Sequence, residues 1–295
     1  MTPSGATSSA AGTDVLAAQP RALIVTIYGL YARESAGWLS VSAVIRLMAE
    51  LGVDESAVRS AISRLKLRGL LEARREAGVA GYGLSRRGAE IITQGDRRIF
   101  HRPETSAAGG WLLAVFSVPE HERARRHALR SRLAWLGFGT VSAGVWIAPR
   151  QLADETRDAL AMDGLSGYVS LFAADYLAFG DVKEKVGQWW DLARLEQLYQ
   201  GFISSVGPVF EYWQASTQAP GQLGPAADPG RAFADYVRAL TAWRRLPFLD
   251  PGLPPDLLPR DWDGSRAAEL FRQLQTLLSG PARDHLLAVT GEPVA

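Results

Sequence analysis

The 295-residue sequence contains no cysteine, which excludes disulfides and thiolate metal sites. Its four histidines, His101, His121, His127 and His285, form no ligand cluster by spacing; His121 and His127 lie six apart and do not share a helical face. No metal site and no catalytic residue is expected. Apolar runs are short: none approaches the roughly 20 residues a bilayer-spanning helix needs. A basic-then-apolar signal pattern is also missing at the N-terminus. The expectation is a cytoplasmic protein with no membrane partner. Net charge is nearly absent too, at +1, but it is unevenly placed. Residues 1–103 carry 14 Lys and Arg against 9 Asp and Glu, whereas residues 104–295 carry 18 against 22. The basic excess belongs to the N-terminal third and points to a polyanion as its partner.

What is present is enough apolar residue, 47%, for a sizeable core divided among two or three domains. Residues 1–19 are rich in Ala, Ser, Thr and Gly and read as a disordered tail. From Pro20, RALIVTIYGLYA places Leu23, Ile24, Ile27 and Leu30 on one face of a helix. Trp38 to Ala49 offers a second helix, capped at Ser40 or Ser42 and followed by a turn at Glu50 to Val53.

The stretch GVDESAVRSAISRLKLRGLL, residues 52–71, then organises the N-terminal part. Asp54 is suited to cap a helix, and Glu55 puts negative charge where the dipole favours it. Val58, Ala61, Ile62 and Leu65 fall on one buried stripe, and Gly69 supplies the left-handed exit. The other faces carry Ser56, Arg59, Ser60, Ser63, Arg64 and Lys66, a set of guanidinium forks and hydroxyls that suits phosphates and base edges in a major groove. Leu70 to Leu84 reads as two short strands around a Gly/Ala-rich tip, with Arg74 and Arg75 on the way in and Tyr82 on the way out. Helix, turn, helix and basic hairpin in that order predict a winged helix-turn-helix that binds double-stranded DNA. A helix follows from Ser85 through Ile92, and Arg97 to Gly110 reads as a basic segment fading into a linker.

Several strings resemble the PaaX family of phenylacetate-catabolism repressors. They are RALIVTIYGLY at Arg21 to Tyr31, LGVDESAVRSAISRLKLRGLL at Leu51 to Leu71, RRIF ending at Phe100, LAWLGFGTVSAGVWIAPR at Leu133 to Arg150 and LPPDLLPRDWDG at Leu253 to Gly264. The resemblance implies a homodimeric repressor on a palindromic operator, released by an aryl-acyl-CoA such as phenylacetyl-CoA. It needs no cofactor. One departure stands out: where related repressors usually carry an arginine just before an Asp-Pro pair, Phe248 and Leu249 precede Asp250 and Pro251 here.

In the middle, Trp111 to Val118 reads as a strand, Glu120 to Leu136 as a basic helix, Gly139 to Ser142 and Val145 to Ala148 as strands, Gln151 to Ala161 as a helix and Tyr168 to Ala173 as a strand. The order βαββαβ is the ferredoxin-like plan. In this region PaaX relatives look like CRISPR-associated ferredoxin-like nucleases, which hold a metal on an acid near the end of the first strand. Here Ser117, Val118 and Pro119 stand there, with Glu120 beyond, so a metal-dependent nuclease is the weaker alternative. A winged-helix protein-interaction module is another. Arg123, Arg126 and Arg130 share a helix face and match the phosphates of a coenzyme A thioester, or pair with Glu120 and Glu122 on a solvated face. Phe138, Trp146 and Arg150 complete the candidate effector group, although for each aromatic taken alone a place in the core is the better reading.

From Val182, VKEKVGQWWDLARLEQLYQGFISSV reads as one two-striped helix. A Gln/Gly/Pro-rich break at Ser216 to Gly230 follows, then a helix from Ala232 to Arg245. Prolines exclude helix from Pro247 to Gly264, and two helices, Ser265 to Leu278 and Pro281 to Val289, close the chain. The expected fold class is α+β: a winged helix-turn-helix over 20–103, a ferredoxin-like domain over 104–180 and a helical domain over 181–295.

Overall fold

The computed structural model describes residues 18–32, 37–100, 109–177, 179–218 and 225–291. Nearly all of the predicted tail, most of the predicted linker and part of the break after Ser216 lie outside them. The described chain is a mixed helix and sheet protein with two small antiparallel sheets.

Helix α1 (Pro20–Ile27) starts with proline in its first turn, where the missing N–H costs nothing, and runs into one π-helical turn at Tyr28–Ala32. Trp38–Ser40 is strand β1 rather than the start of a helix. Helix α2 (Val41–Glu50) begins only after it, because the Ser40 side chain accepts from the Ala43 N–H and fixes the start there. Helix α3 (Glu55–Leu67) follows a turn, then strands β2 (Leu71–Glu76) and β3 (Val79–Leu84) form a hairpin with Ala77 and Gly78 at its tip. Both tip residues have positive φ, as a two-residue hairpin turn requires. The sheet order is β1-β3-β2. Helix α4 (Arg86–Phe100) is longer than expected: the basic Arg97 to Phe100 stretch is its last turn, not linker.

Strands β4 (Trp111–Phe116), β5 (Gly139–Ser142), β6 (Val145–Pro149) and β7 (Val169–Ala174), with helices α5 (Arg123–Trp135) and α6 (Ala153–Met162), follow in the order βαββαβ. The sheet is antiparallel, ordered β5-β6-β4-β7. Alternation sorts its faces: Leu112, Ala114, Phe116, Trp146 and Ala148 are buried with Leu129, Leu133, Ala159 and Leu160 of the two helices. On the opposite face Trp111 meets Trp189 and Trp190 at centroid distances of 5.7 and 6.1 Å, while Val115 and Phe172 stay exposed.

The last part is helical but divided differently from the expectation. The stretch from Val182 is two helices, α7 (Val182–Trp189) and α8 (Leu192–Gln218), because the Asp191 carboxylate caps a new start by accepting from the Arg194 N–H at 3.0 Å. Helix α9 (Pro229–Trp243) is followed by a short helix, α10 (Leu246–Leu249), inside the proline-rich segment; Pro247 sits in its first turn, where proline is tolerated. Helix α11 (Asp263–Thr290) runs through Pro281 without stopping. Leu274, Leu278, Ala282 and Leu286 are buried on both sides of that proline, so packing against α8 and α9 outweighs the one lost backbone hydrogen bond.

The buried side chains form two clusters that do not follow chain order. One runs from α1, α2 and α3 into α8, α9 and α11; the other fills the central βαββαβ unit. The first and last parts are joined by polar contacts as well. The Thr26 and Thr241 hydroxyls lie 2.7 Å apart, Arg46 donates to the Val289 carbonyl, and the Glu50 carboxylate meets the His285 Nε2 at 2.7 Å. Arg98 ties all three parts together. Buried on α4, it donates to the Leu136 carbonyl at 2.7 Å, lies 3.4 Å from the Glu155 carboxylate of α6, and stands 5.3 Å from the Phe248 ring of α10.

Candidate nucleic-acid interface

Helix α3 is docked by its apolar stripe: Val58, Ala61, Ile62 and Leu65 are buried. Its start is held by Asp54, whose carboxylate accepts from the Ala57 N–H at 3.0 Å and the Ser56 hydroxyl at 2.6 Å. Its exit is closed by Gly69 at φ 68°, with the Gly69 N–H on Lys66 and the Leu70 N–H on Leu65, the paired bonds of a Schellman turn.

The polar side chains outside the stripe face outward. Ser56, Arg59, Ser60, Ser63, Arg64 and Lys66 are all exposed. Intrahelical partners hold the cations in place: Arg59 pairs with Glu55, and Arg64 donates to the Ser60 hydroxyl at 2.9 Å. These exposed pairs are weak, so the guanidiniums can leave them at little cost. Lys66 stands 5.8 Å from the Tyr82 ring, which joins the end of α3 to the hairpin. On the hairpin, Arg74 pairs with Glu72 at 2.6 Å and reaches the Leu84 carbonyl at 3.4 Å, and Arg75 reaches the Gly78 carbonyl at 3.4 Å. Of the nine predicted residues eight are exposed; Tyr82 is half-buried, its backbone carbonyl accepting from the Tyr28 hydroxyl at 3.0 Å.

Leu67 was missed by sequence reasoning, which assigns apolar residues on a helix to the core. It is 85% exposed, on the far side of α3 from Leu65 and one turn beyond Ser63. Its spacing from the buried stripe is the signal that separates it from core leucines.

The cap makes α3 pH-sensitive. Hydrogen bonds from Ser56 and then Ala57 favour the ionised Asp54 carboxylate and lower its pKa from the ordinary 3.8. A lowered carboxylate contributes stability above its unfolded pKa and loses it as pH falls through the folded one. Amide exchange of Ala57 and Val58 should therefore accelerate as pH falls below about 4, relative to the Asp54→Asn variant, whose cap does not titrate. Equal pH profiles in the two proteins would exclude the cap as the cause.

The six residues proposed for an effector are not gathered in one place. Arg123 and Arg126 both hold Glu120, at 2.6 and 2.9 Å, and Arg126 also donates to the Val118 carbonyl at 2.7 Å. Arg123 first and Arg126 second thereby keep the Glu120 pKa below its ordinary value. Arg130 and Arg150 are exposed, whereas Phe138 and Trp146 are buried in the central core. Among the described residues no group of three or more His, Cys, Asp or Glu side chains is placed to hold a metal ion, and no helix is long and apolar enough to cross a membrane.

A docked basic helix, an adjoining basic hairpin and a separate βαββαβ unit define a mixed α and β protein whose charged face lies on one helix and its hairpin. Three family models match in sequence: "PaaX-like protein" over residues 19–88, "PaaX protein central Cas2-like domain" over 104–186 and "PaaX-like protein C-terminal domain" over 190–288. The chain belongs to the PaaX family. It is 27% identical over 254 residues to the transcriptional repressor PaaX of Escherichia coli strain K12, covering 84% of this chain and 77% of that one. A solved structure, the uncharacterized protein Rv0674 from Mycobacterium tuberculosis, is similar at 24% identity with a TM-score of 0.48, covering 87% of this chain and 99% of that chain.

Proposed function

We propose that the protein is a sequence-specific, DNA-binding transcriptional regulator acting as a repressor, with residues 20–103 as a winged helix-turn-helix. The observation that carries this reading is the outward face of α3: Ser56, Arg59, Ser60, Ser63 and Arg64 form a polar, basic stripe opposite the buried one, and Lys66 meets Tyr82 of the hairpin at its end. In this reading α3 lies in the major groove, Arg59 and Arg64 address base edges, Leu67 meets a thymine methyl, and Arg74 and Arg75 reach the neighbouring backbone. The name of the Escherichia coli relative, a transcriptional repressor, supports the direction of control.

Residues 104–180 act in this reading as a ferredoxin-like assembly domain, supported by the β5-β6-β4-β7 order, and residues 181–295 as a helical domain. The active form is a homodimer. One recognition helix covers one half-site, two must stand about 34 Å apart to follow one face of the duplex, and the exposed Val115 and Phe172 suit contact with a second copy. The controlled genes belong to aromatic-acid catabolism, and an aryl-acyl-CoA such as phenylacetyl-CoA releases the operator, as family membership suggests. A nuclease reading is weaker because the carboxylate of Glu120, the acid nearest the end of β4, is held by two arginines.

Fluorescence anisotropy with the upstream DNA of its own gene tests the assignment. Arg59→Ala and Arg64→Ala are each expected to weaken operator binding by about 1 to 3 kcal/mol with relaxed sequence preference. Arg75→Ala should weaken all DNA alike and flatten the salt dependence. Unchanged binding in all three variants would remove this reading surface, and a monomer by sedimentation at operator-binding concentrations would remove the dimer.

A further inference from the structure

A pocket of about 320 Å³ opens where α1, its π-helical turn, α4, α9 and α10 meet, with Trp135 at the end of α5 forming one wall. Its surface is mostly aliphatic and aromatic, with Leu30, Ile99, Phe100, Leu240 and Phe248 around it. Phe248 and Trp135 stack at 4.1 Å, so the central and C-terminal parts share this wall. Three charged groups reach the pocket: Asp96, Arg244 and Arg245. One Nη of Arg244 donates to the Ala22 carbonyl at 3.2 Å, but its Nε is buried with no hydrogen-bond partner among the described residues. Burial, then the neighbouring Arg245, lowers the Arg244 pKa to about 10, which leaves it a cation at neutral pH. A buried cationic N–H without an acceptor is costly, and an incoming carbonyl or carboxylate oxygen relieves that cost. With Asp96 beside two arginines the lining carries one net positive charge, which suits a neutral or singly charged head rather than a dianion.

The volume sets the body of the ligand. A dry cavity of ~150 Å³ already accepts benzene, so this one accommodates an aromatic ring with a short acyl arm, and a bulky nucleotide would remain outside. A second, smaller space of about 50 Å³ lies next to it. Val25, Ile91 and Ile92 line both, and the far side of the smaller one is bounded by Leu65 of α3 and by Leu71 and Leu84 of the hairpin. Three aliphatic side chains therefore stand between the pocket and the underside of the DNA-reading elements.

We propose that this pocket binds an aryl-acyl ligand, its ring among the aromatic walls and its carbonyl or carboxylate oxygen on Arg244, and that filling it presses Val25, Ile91 and Ile92 against Leu65, Leu71 and Leu84. The ligand then acts on DNA affinity because it favours one placement of α3 and the hairpin over another. The coupling, but not the binding, rests on the regulator reading above.

Isothermal titration of the full chain with phenylacetate, phenylacetyl-CoA and coenzyme A alone tests the site. Gly95 is the useful probe: a Cβ there would meet only Ile99 and Phe248, both at 3.7 Å, so Gly95→Leu is expected to fold and to occupy the pocket. Binding of the acid identifies a free-acid ligand and binding of the thioester alone identifies a thioester; either supports the proposal when Gly95→Leu and Arg244→Met each weaken it at least tenfold. If Arg244→Met fails to fold, Gly95→Leu decides. No binding of acid or thioester, equal binding of coenzyme A alone, or unchanged affinity in Gly95→Leu would overturn it. Anisotropy on the same samples separates the two layers. Operator binding indifferent to saturating ligand refutes the coupling, whereas no operator binding without ligand refutes the regulator reading and leaves the calorimetric result standing.

Discussion

Replacing Arg98 with alanine is expected to lower the stability of the protein by about 1 to 3 kcal/mol, because it removes a buried guanidinium's hydrogen bond and leaves the half-buried Glu155 carboxylate without its nearest cation. Arg98 is 6% exposed, and its guanidinium meets the Leu136 carbonyl, the Glu155 carboxylate and the Phe248 ring, which belong to the central and the C-terminal parts. Burial already raises the Glu155 pKa against the opposing pull of Arg98 and then Arg132. Removing Arg98 takes away the larger opposing charge, so the carboxyl should move further up. A raised carboxylate loses stability as pH rises from its unfolded value through its folded one, and the variant should accordingly be least stable on the alkaline side of that window. Urea denaturation at several pH values measures both effects. A loss under about 1 kcal/mol would show that Arg98 is not the bolt its contacts suggest.

The second large effect is expected at Gly88, where α4 crosses the root of the hairpin. A Cβ at this position would stand 2.3 Å from the Leu70 carbonyl oxygen and 3.1 Å from its carbon, both backbone atoms. The Ser85 side chain fixes the same crossing: its hydroxyl accepts from the Gly88 N–H at 3.0 Å and donates to the Gly69 carbonyl at 2.5 Å. Gly88→Ala must push α4 away from β2 and α3, at about 1 to 3 kcal/mol or more for a forced backbone shift. Because Leu70 joins α3 to the hairpin, operator affinity should fall together with the melting temperature. A variant as stable as the parent would mean that α4 slides freely over this contact.

Much of this architecture was legible in the sequence because its signals are local. The cap at Asp54, the 58-61-62-65 stripe and the Gly69 exit each need only neighbouring residues, and all three are in the structure as read. The βαββαβ order was legible for the same reason. Elements governed by distant packing were not. Pro281 reads as the start of a separate helix, yet Leu278, Ala282 and Leu286 lie buried against helices far away in sequence, and that burial carries one helix through. Trp189 and Trp190 read as one helical run, whereas Trp190 leaves the helix to donate its indole N–H to the Gly137 carbonyl at 2.9 Å. The pocket residues Asp96, Trp135, Arg244 and Phe248 come from α4, α5, the turn after α9 and α10, and no spacing rule links them. The arginines of α5 were conspicuous by density, but the structure spends two of them on Glu120.

The shared core of the first and last parts also bears on how the chain is made. Synthesis delivers α1 to α3 first, but α9, against which α1 packs, begins only at Pro229, roughly 200 residues after α1 ends. At about 5 to 20 residues per second the ribosome leaves α1 waiting on the order of 10 to 40 s for the α9 side of its packing, while α3 can already cover its other side. The central unit, whose buried cluster is its own, can fold in the interval. The proposed DNA-binding part is thus translated before the helices that complete its core, so a chain truncated ahead of α9 is expected to lose operator binding rather than act as a partial, unregulated copy.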